Sequence, residues 1–123
     1  EPTEFIYDEP INESYRNAYM RMGYTIVKYH YYDGCCPKLT MYMEILPDEF
    51  SNKLIIEKLK DSNKTEGPWV TAESIFGEKN ANVTEINDVL DILCEVLPKP
   101  PIDCGVVYIG NQTDKENDMN QTN

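Results

Sequence analysis

Apolar and polar residues alternate most regularly over positions 39–45. Strand spacing would place four apolar side chains of this segment on one face: Leu39, Met41, Met43 and Ile45. The preceding segment, 24–32, is rich in β-branched and aromatic residues, which favour strands. Asp33-Gly34 between them is a turn dipeptide. The pattern therefore predicts a β-hairpin over 24–45, whose turn lies beside two adjacent cysteines, Cys35 and Cys36.

Weaker patterns predict the remaining elements. Two further strands are expected at about 51–60 and 69–76, followed by a loop at 77–82. For 51–60 a helix is the alternative, because Phe50 and Leu54 have helical spacing. A short helix is expected at 13–22, where Ser14 is placed to cap it, although its tyrosines would also suit an extended strand. A strongly amphipathic helix is expected at 85–97, where Thr84 is placed to cap it. A last short strand is expected at 104–110.

These elements define an α+β fold: an antiparallel β-meander of about four to five strands packed against one C-terminal amphipathic helix, with disulfide staples. The chain of 123 residues is long enough for one domain with a modest core. We expect an acidic N-terminal arm at 1–12, a single globular domain at 13–110 and a disordered polar tail at 111–123.

The chain holds 4 cysteines, an even number typical of small extracellular domains. Three pairings are open. Two of them join Cys35 and Cys36 separately to Cys94 and Cys104, which would staple the end of the chain to its middle. The third joins Cys35 to Cys36 in a strained ring between neighbours, and we do not expect it. A metal site is not expected, because the pair is adjacent and the chain has 1 His.

Acceptor motifs for N-glycosylation, N-x-[ST], predict secretion after removal of a signal peptide. Chance would give about one match in such a chain. The sequence has matches at Asn12, Asn63, Asn82, Asn111 and Asn120. Together with the cysteines, these motifs indicate a secreted glycoprotein in an oxidising compartment.

The net charge and composition of the chain disfavour several classes of function. The formal net charge is -11, from 22 acidic and 11 basic residues, which disfavours nucleic acid and anionic membranes as partners. No apolar run approaches the roughly 18 residues that span a bilayer. With 1 His and cysteines expected to be bridged, no catalytic residues and no cofactor are predicted, and the chain is not expected to be an enzyme.

Tyrosine is the unusual feature, with 9 residues in the chain. Tyrosine gives a binding surface large contact area and a hydroxyl tip. The residues expected to contact a partner lie in the acidic arm, where Tyr7 is also a candidate for sulfation, and in the predicted hairpin: Tyr7, Asp8, Glu9, Tyr24, Tyr29, Tyr31 and Tyr42. The expected function is capture of a basic extracellular protein, such as a cytokine, a chemokine or a protease, with a role in immune modulation.

The alternative is a small lipocalin-like carrier of a hydrophobic or amphipathic ligand, with Met41, Met43 and the tyrosines lining its pocket. Chain length disfavours it, because a ligand-holding barrel needs about eight strands. A structural domain of a larger ectodomain is a third alternative.

Overall fold

A computed structural model describes residues 2–50, 53–61 and 67–97. The described elements follow in the order β1 (Ile6–Tyr7), α1 (Glu13–Arg21), β2 (Thr25–Tyr32), α2 (Pro37–Glu49), β3 (Leu54–Asp61), β4 (Trp69–Ser74), β5 (Gly77–Asn82) and α3 (Ile86–Val96). The strands form a five-stranded sheet in the order β1-β3-β2-β4-β5. The α+β class is confirmed. The antiparallel meander is not, because β3 pairs in parallel with both β1 and β2.

The largest correction concerns residues 37–49, which form helix α2 instead of the second strand of a hairpin. Met41 and Ile45, which the strand pattern would bury, are 64% and 45% exposed. The buried positions are spaced four and three residues apart, as one helix face requires: Leu39, Met43 and Leu46. Helix α2 carries the chain back across the sheet, so β3 runs parallel to β2 rather than returning as a hairpin.

Residues 77–82, predicted to be a loop, form the edge strand β5. Its register with β4 runs from Trp69 opposite Asn82 to Ser74 opposite Gly77. Five of its six residues are exposed, so the strand has no apolar alternation to reveal it. The expected strand at 104–110 and tail at 111–123 lie outside the described residues.

The predicted strand at 24–32 is confirmed as β2, and the predicted helices at 13–22 and 85–97 are confirmed as α1 and α3. Their caps differ from the prediction by one or two residues. Asn12, not Ser14, caps α1, and its Oδ1 accepts the Ser14 N–H at 2.9 Å. At α3, Glu85 is the N-cap and forms a capping box with Asp88.

The sheet packs on both faces. Helices α2 and α3 cover one face, where the main core joins side chains of β2, β3 and β4 to Met43 and Leu93. Helix α1 covers part of the other face, where a smaller cluster surrounds Tyr24, Ile26 and Ile55. The N-terminal segment adds β1 beside β3, so the expected acidic arm at 1–12 contributes a strand to the sheet.

Candidate functional site

Most of the tyrosines predicted to contact a partner support the core instead. Tyr24 and Tyr29 are 5% and 0% exposed, so neither can touch a partner in this fold. The Tyr29 hydroxyl lies 2.9 Å from Thr40 Oγ1 of α2, and burial raises the pKa of Tyr29. Tyr31 is half-buried and stacks on Tyr29, and Tyr42 is half-buried on α2. The predicted tyrosine-rich face of a hairpin is therefore wrong.

The acidic residues of the N-terminal segment are better placed for contact. Asp8 and Glu9 are exposed, and the Asp8 side chain retains 82% of its accessible surface. Tyr7 is half-buried against the smaller cluster, and this burial, reinforced by neighbouring Tyr19, raises its pKa. Tyr7 therefore belongs to the sheet rather than to a free arm.

A groove of about 370 Å³ lies between the N-terminal segment and helix α2, and we call it the acidic groove. It is lined by Thr3, Glu4, Phe5, Ile6, Glu44, Pro47 and Asp48. Three of these residues carry carboxylates, and three are apolar. Lys58 of β3 lies beside the groove, where it pairs with Glu44 and lies 3.6 Å from Asp8. The hydrogen bond to Glu44 is the main cause that raises the pKa of Lys58.

Local structure explains why these groups meet. Glu44 and Asp48 are four residues apart on α2, so they project from neighbouring positions on the same side of the helix. Across the groove, Ile56 donates its N–H to the Phe5 carbonyl at 2.8 Å, which fixes the N-terminal segment on β3. Because backbone groups of successive strand residues point to opposite edges, those of Ile6 face the outer edge of the sheet.

The groove residues Glu4, Glu44 and Asp48 are not among the contact residues predicted from the sequence. A strand over 39–45 leaves Glu44 alone on a polar face, with no relation to Asp48. The signal that would have found the pair is the i, i+4 spacing of two carboxylates, which becomes meaningful once the segment is assigned as a helix.

A second groove, of about 400 Å³, lies between α2 and the start of α3, and we call it the apolar groove. Its lining is Lys38, Leu39, Met41, Tyr42, Ile45, Thr84, Glu85 and Ile86. Met41, one of the two methionines that the carrier alternative placed in its pocket, lines this groove. Met43 does not, because it is 0% exposed in the main core.

The histidine and one glycosylation motif meet on the sheet face opposite α2. His30 stacks on Trp69, with ring centroids 3.7 Å apart and an interplanar angle of 5°. Asn82 lies opposite Trp69 in the β4–β5 pair and is exposed, as is Asn12 at the start of α1. The motifs at Asn63, Asn111 and Asn120 lie outside the described residues.

Cys35 and Cys36 are bridged to each other, the pairing that the sequence argument set aside. The expected staples from this pair to Cys94 and Cys104 are therefore not confirmed. Cys94 is also disulfide-bonded, and Cys104 lies outside the described residues. The bridge lies at the start of α2, where Cys36 is the N-cap residue.

Within residues 2–50, 53–61 and 67–97, no group of three or more His, Cys, Asp or Glu side chains is arranged to hold a metal ion. None of the helices in these ranges is long and apolar enough to cross a membrane. No protein-family model matches the chain, and no curated protein sequence matches it. The candidate sites are therefore the two grooves and the cysteine pair, judged by their own chemistry.

Proposed function

We propose that the chain is a secreted protein that captures a basic extracellular protein, such as a cytokine, a chemokine or a protease, in the acidic groove without catalysing a reaction on it. The observation that carries this proposal is the chemistry of the groove walls. The groove is lined by the carboxylates of Glu4, Glu44 and Asp48 and by apolar surface from Phe5, Ile6 and Pro47. Lys and Arg have the complementary shape, an apolar stem that ends in a cationic head.

The surroundings of the groove add to its selectivity for cations. Lys58 orients Glu44 but neutralises only part of the local negative charge, since Asp8 and Glu9 lie exposed nearby along the chain. The outward-facing backbone of Ile6 can also pair with an extended segment of the partner. The net charge of -11 accelerates encounter with a basic partner at low ionic strength.

The test compares two double variants that each remove two negative charges. Glu4→Gln/Asp48→Asn changes the acidic groove, whereas Glu13→Gln/Glu78→Gln changes exposed carboxylates on α1 and β5. Binding of the full chain to an immobilised panel of basic chemokines, cytokines and proteases is measured at low and at physiological salt. The groove variant should weaken capture about tenfold, the equivalent of two surface ion pairs of up to about 1 kcal/mol each.

The control variant should change affinity by less than about twofold and mainly through the association rate. Equal losses in both variants would show that net charge alone drives binding and that the groove is not the site. Failure of the wild-type chain to bind any member of the panel at low salt would reject the proposed partner class.

A second candidate function, carriage of a small apolar ligand, is favoured by one observation: Met41 and Ile45 are exposed within the apolar groove. The uncharged fluorescent probe N-phenyl-1-naphthylamine tests it directly. Met41→Glu should abolish uptake of the probe, whereas Ile75→Glu, at a 56% exposed apolar position on the β4–β5 turn, should leave uptake unchanged. Absence of uptake by the wild-type chain, or equal uptake by both variants, would reject the carrier.

A further inference from the structure

We propose that Cys35 and Cys36 form a redox-active disulfide that exchanges with dithiols of other proteins, an activity separate from capture in the acidic groove. The two cysteines are adjacent in sequence and bridged to each other where β2 ends and α2 begins. Both residues are partly exposed, so a thiolate from another protein has access to the bridge. A disulfide buried to fasten distant segments would have neither property.

The N-terminus of α2 stabilises the reduced form of the pair. Cys36 is the N-cap of a helix of 13 residues, and its side chain makes no capping hydrogen bond within the described part of the chain. The partial positive charge at a helix N-terminus favours a thiolate at this position. The first turn contains no acidic residue to oppose that effect, and it contains Lys38. A stabilised thiolate makes the bridged form easier to reduce.

The backbone at the pair is also unusual. Cys36 has φ 64° and ψ 49°, and among the described residues it is the non-glycine residue with positive φ. This left-handed conformation is disfavoured for a residue with a side chain, because its Cβ crowds the following carbonyl oxygen. It is held in place by bonds on both sides: Cys35 donates its N–H to Tyr32 O at 3.0 Å, and Cys36 O accepts the Thr40 N–H at 2.9 Å. Such outliers concentrate at functional sites.

The packing of the two cysteines determines which sulfur a partner thiolate attacks. Cys36 packs against the main core, which covers it on one side. A partner thiolate therefore attacks Cys35 Sγ, and the bond to Cys36 breaks, with Cys36 leaving as the helix-stabilised thiolate. The product is a mixed disulfide between Cys35 and the partner.

The second partner thiol then loses its proton and attacks the partner sulfur of the mixed disulfide. This step releases Cys35, which takes up that proton, while the proton of the first partner thiol goes to solvent. Two electrons pass to the chain, so the partner dithiol becomes a disulfide and the Cys35–Cys36 bridge becomes a thiol and a thiolate. A bridged pair is the form that this chemistry requires, so bridging does not exclude Cys35 and Cys36 from a reaction.

The first experiment uses the unmodified full chain, secreted from eukaryotic cells. The protein is equilibrated with reduced and oxidised glutathione over a range of ratios, quenched with acid, alkylated and mapped by mass spectrometry. The Cys35–Cys36 bridge should be half reduced at a glutathione ratio at least about tenfold less reducing than the bond made by Cys94. Reduction of the Cys94 bond first, reduction of both together, or a map that joins Cys35 or Cys36 to any other cysteine would overturn the proposal.

A second experiment tests the role of the helix. Cys35→Ser leaves Cys36 as a single thiol, and Cys36→Ser leaves Cys35 as the matched control. In folded samples, the pH at which alkylation by iodoacetamide reaches half its maximal rate should be about one unit lower for Cys36 than for Cys35, because helix N-termini favour the thiolate. Equal midpoints, or a lower midpoint for Cys35, would overturn the assignment of Cys36 as the leaving thiolate. If either variant fails to fold, the glutathione titration of the unmodified chain still decides the proposal.

Discussion

Replacement of Arg16 by Met should be among the most destabilising single changes in the chain. Glu57 of β3 is 0% exposed, and its Oε2 accepts bonds from Arg16 Nη2 at 2.6 Å and from the Ile11 N–H at 2.8 Å. The pair fastens α1 and the preceding loop to the sheet. The pair is incompletely hydrogen-bonded, because Arg16 Nη1 and Glu57 Oε1 are buried without a hydrogen-bond partner among the described residues.

The expected loss of folding stability depends on which buried polar groups each variant leaves unpaired. Arg16→Met leaves a buried carboxylate that keeps only the Ile11 bond, which costs about 3–5 kcal/mol. That is a large part of the roughly 5–15 kcal/mol that holds a domain folded. The double variant Arg16→Met/Glu57→Leu removes both charges and the unpaired Oε1. It leaves only the Ile11 N–H without its acceptor, at a cost of about 1–3 kcal/mol.

Urea unfolding, followed by the fluorescence of Trp69, measures these free energies by linear extrapolation. Lys79→Met is the control, because Lys79 and Glu95 form a pair at 3.3 Å whose side chains are 56% and 50% exposed. Its loss should cost less than about 1 kcal/mol. The reasoning is refuted if Arg16→Met costs no more than Lys79→Met, or if the double variant is less stable than Arg16→Met.

Two further predictions concern α3 and α2. Asp88 accepts the N–H groups of Thr84 and Glu85, and the Thr84 bond is the main cause that lowers its pKa. A lowered folded pKa gives stability that is complete above the ordinary value of 3.8 and is lost as pH falls through the folded pKa. Asp88→Ala should therefore lower the free energy of unfolding, measured by thermal denaturation, by about 0.5–2 kcal/mol at pH 7 and by progressively less below about pH 4. A difference between variant and wild type that stays constant with pH would contradict the capping role. Met43→Glu should unfold the domain, because it buries an unpaired carboxylate, whereas Met41→Glu should keep a native circular dichroism spectrum; two folded variants would contradict the orientation of α2.

Helices and strands whose apolar residues follow one clear spacing could be predicted from the sequence. The α3 stripe fits only a helix, and the β-branched and aromatic composition of 24–32 favours a strand. Segment 39–45 contains both periods, since Leu39 and Met43 satisfy an alternation of two and a spacing of four. Over seven residues the two cannot be separated, and burial of Leu46 on the next turn decides for the helix. Strand β5 is held by backbone pairing at an edge, so its side chains carry no pattern to detect.

The sites depended on contacts between distant parts of the chain. Glu4 and Glu44 line one groove only because the N-terminal segment pairs with β3 and α2 crosses above it. Parallel pairing across such separations leaves no local signal, since side-chain alternation is the same in parallel and antiparallel strands. The charge that predicts a basic partner was therefore visible in the sequence, whereas the place where it is concentrated was not.

Helix α2 connects the three candidate sites, and its assignment determines all of them. With about 100° between successive residues, its core face bears Leu39 and Met43. Glu44 and Asp48 project on one side of that face into the acidic groove, and Met41 with Ile45 projects on the other into the apolar groove. The cysteine pair occupies the N-terminus of the same helix. A strand at this position would place Met41, Met43 and Ile45 together on one face and would provide no helix terminus beside the cysteines. The acidic groove, the apolar groove and the proposed exchange site are therefore consequences of one helix, and disproof of its orientation by the Met43→Glu and Met41→Glu pair would remove the structural basis of all three.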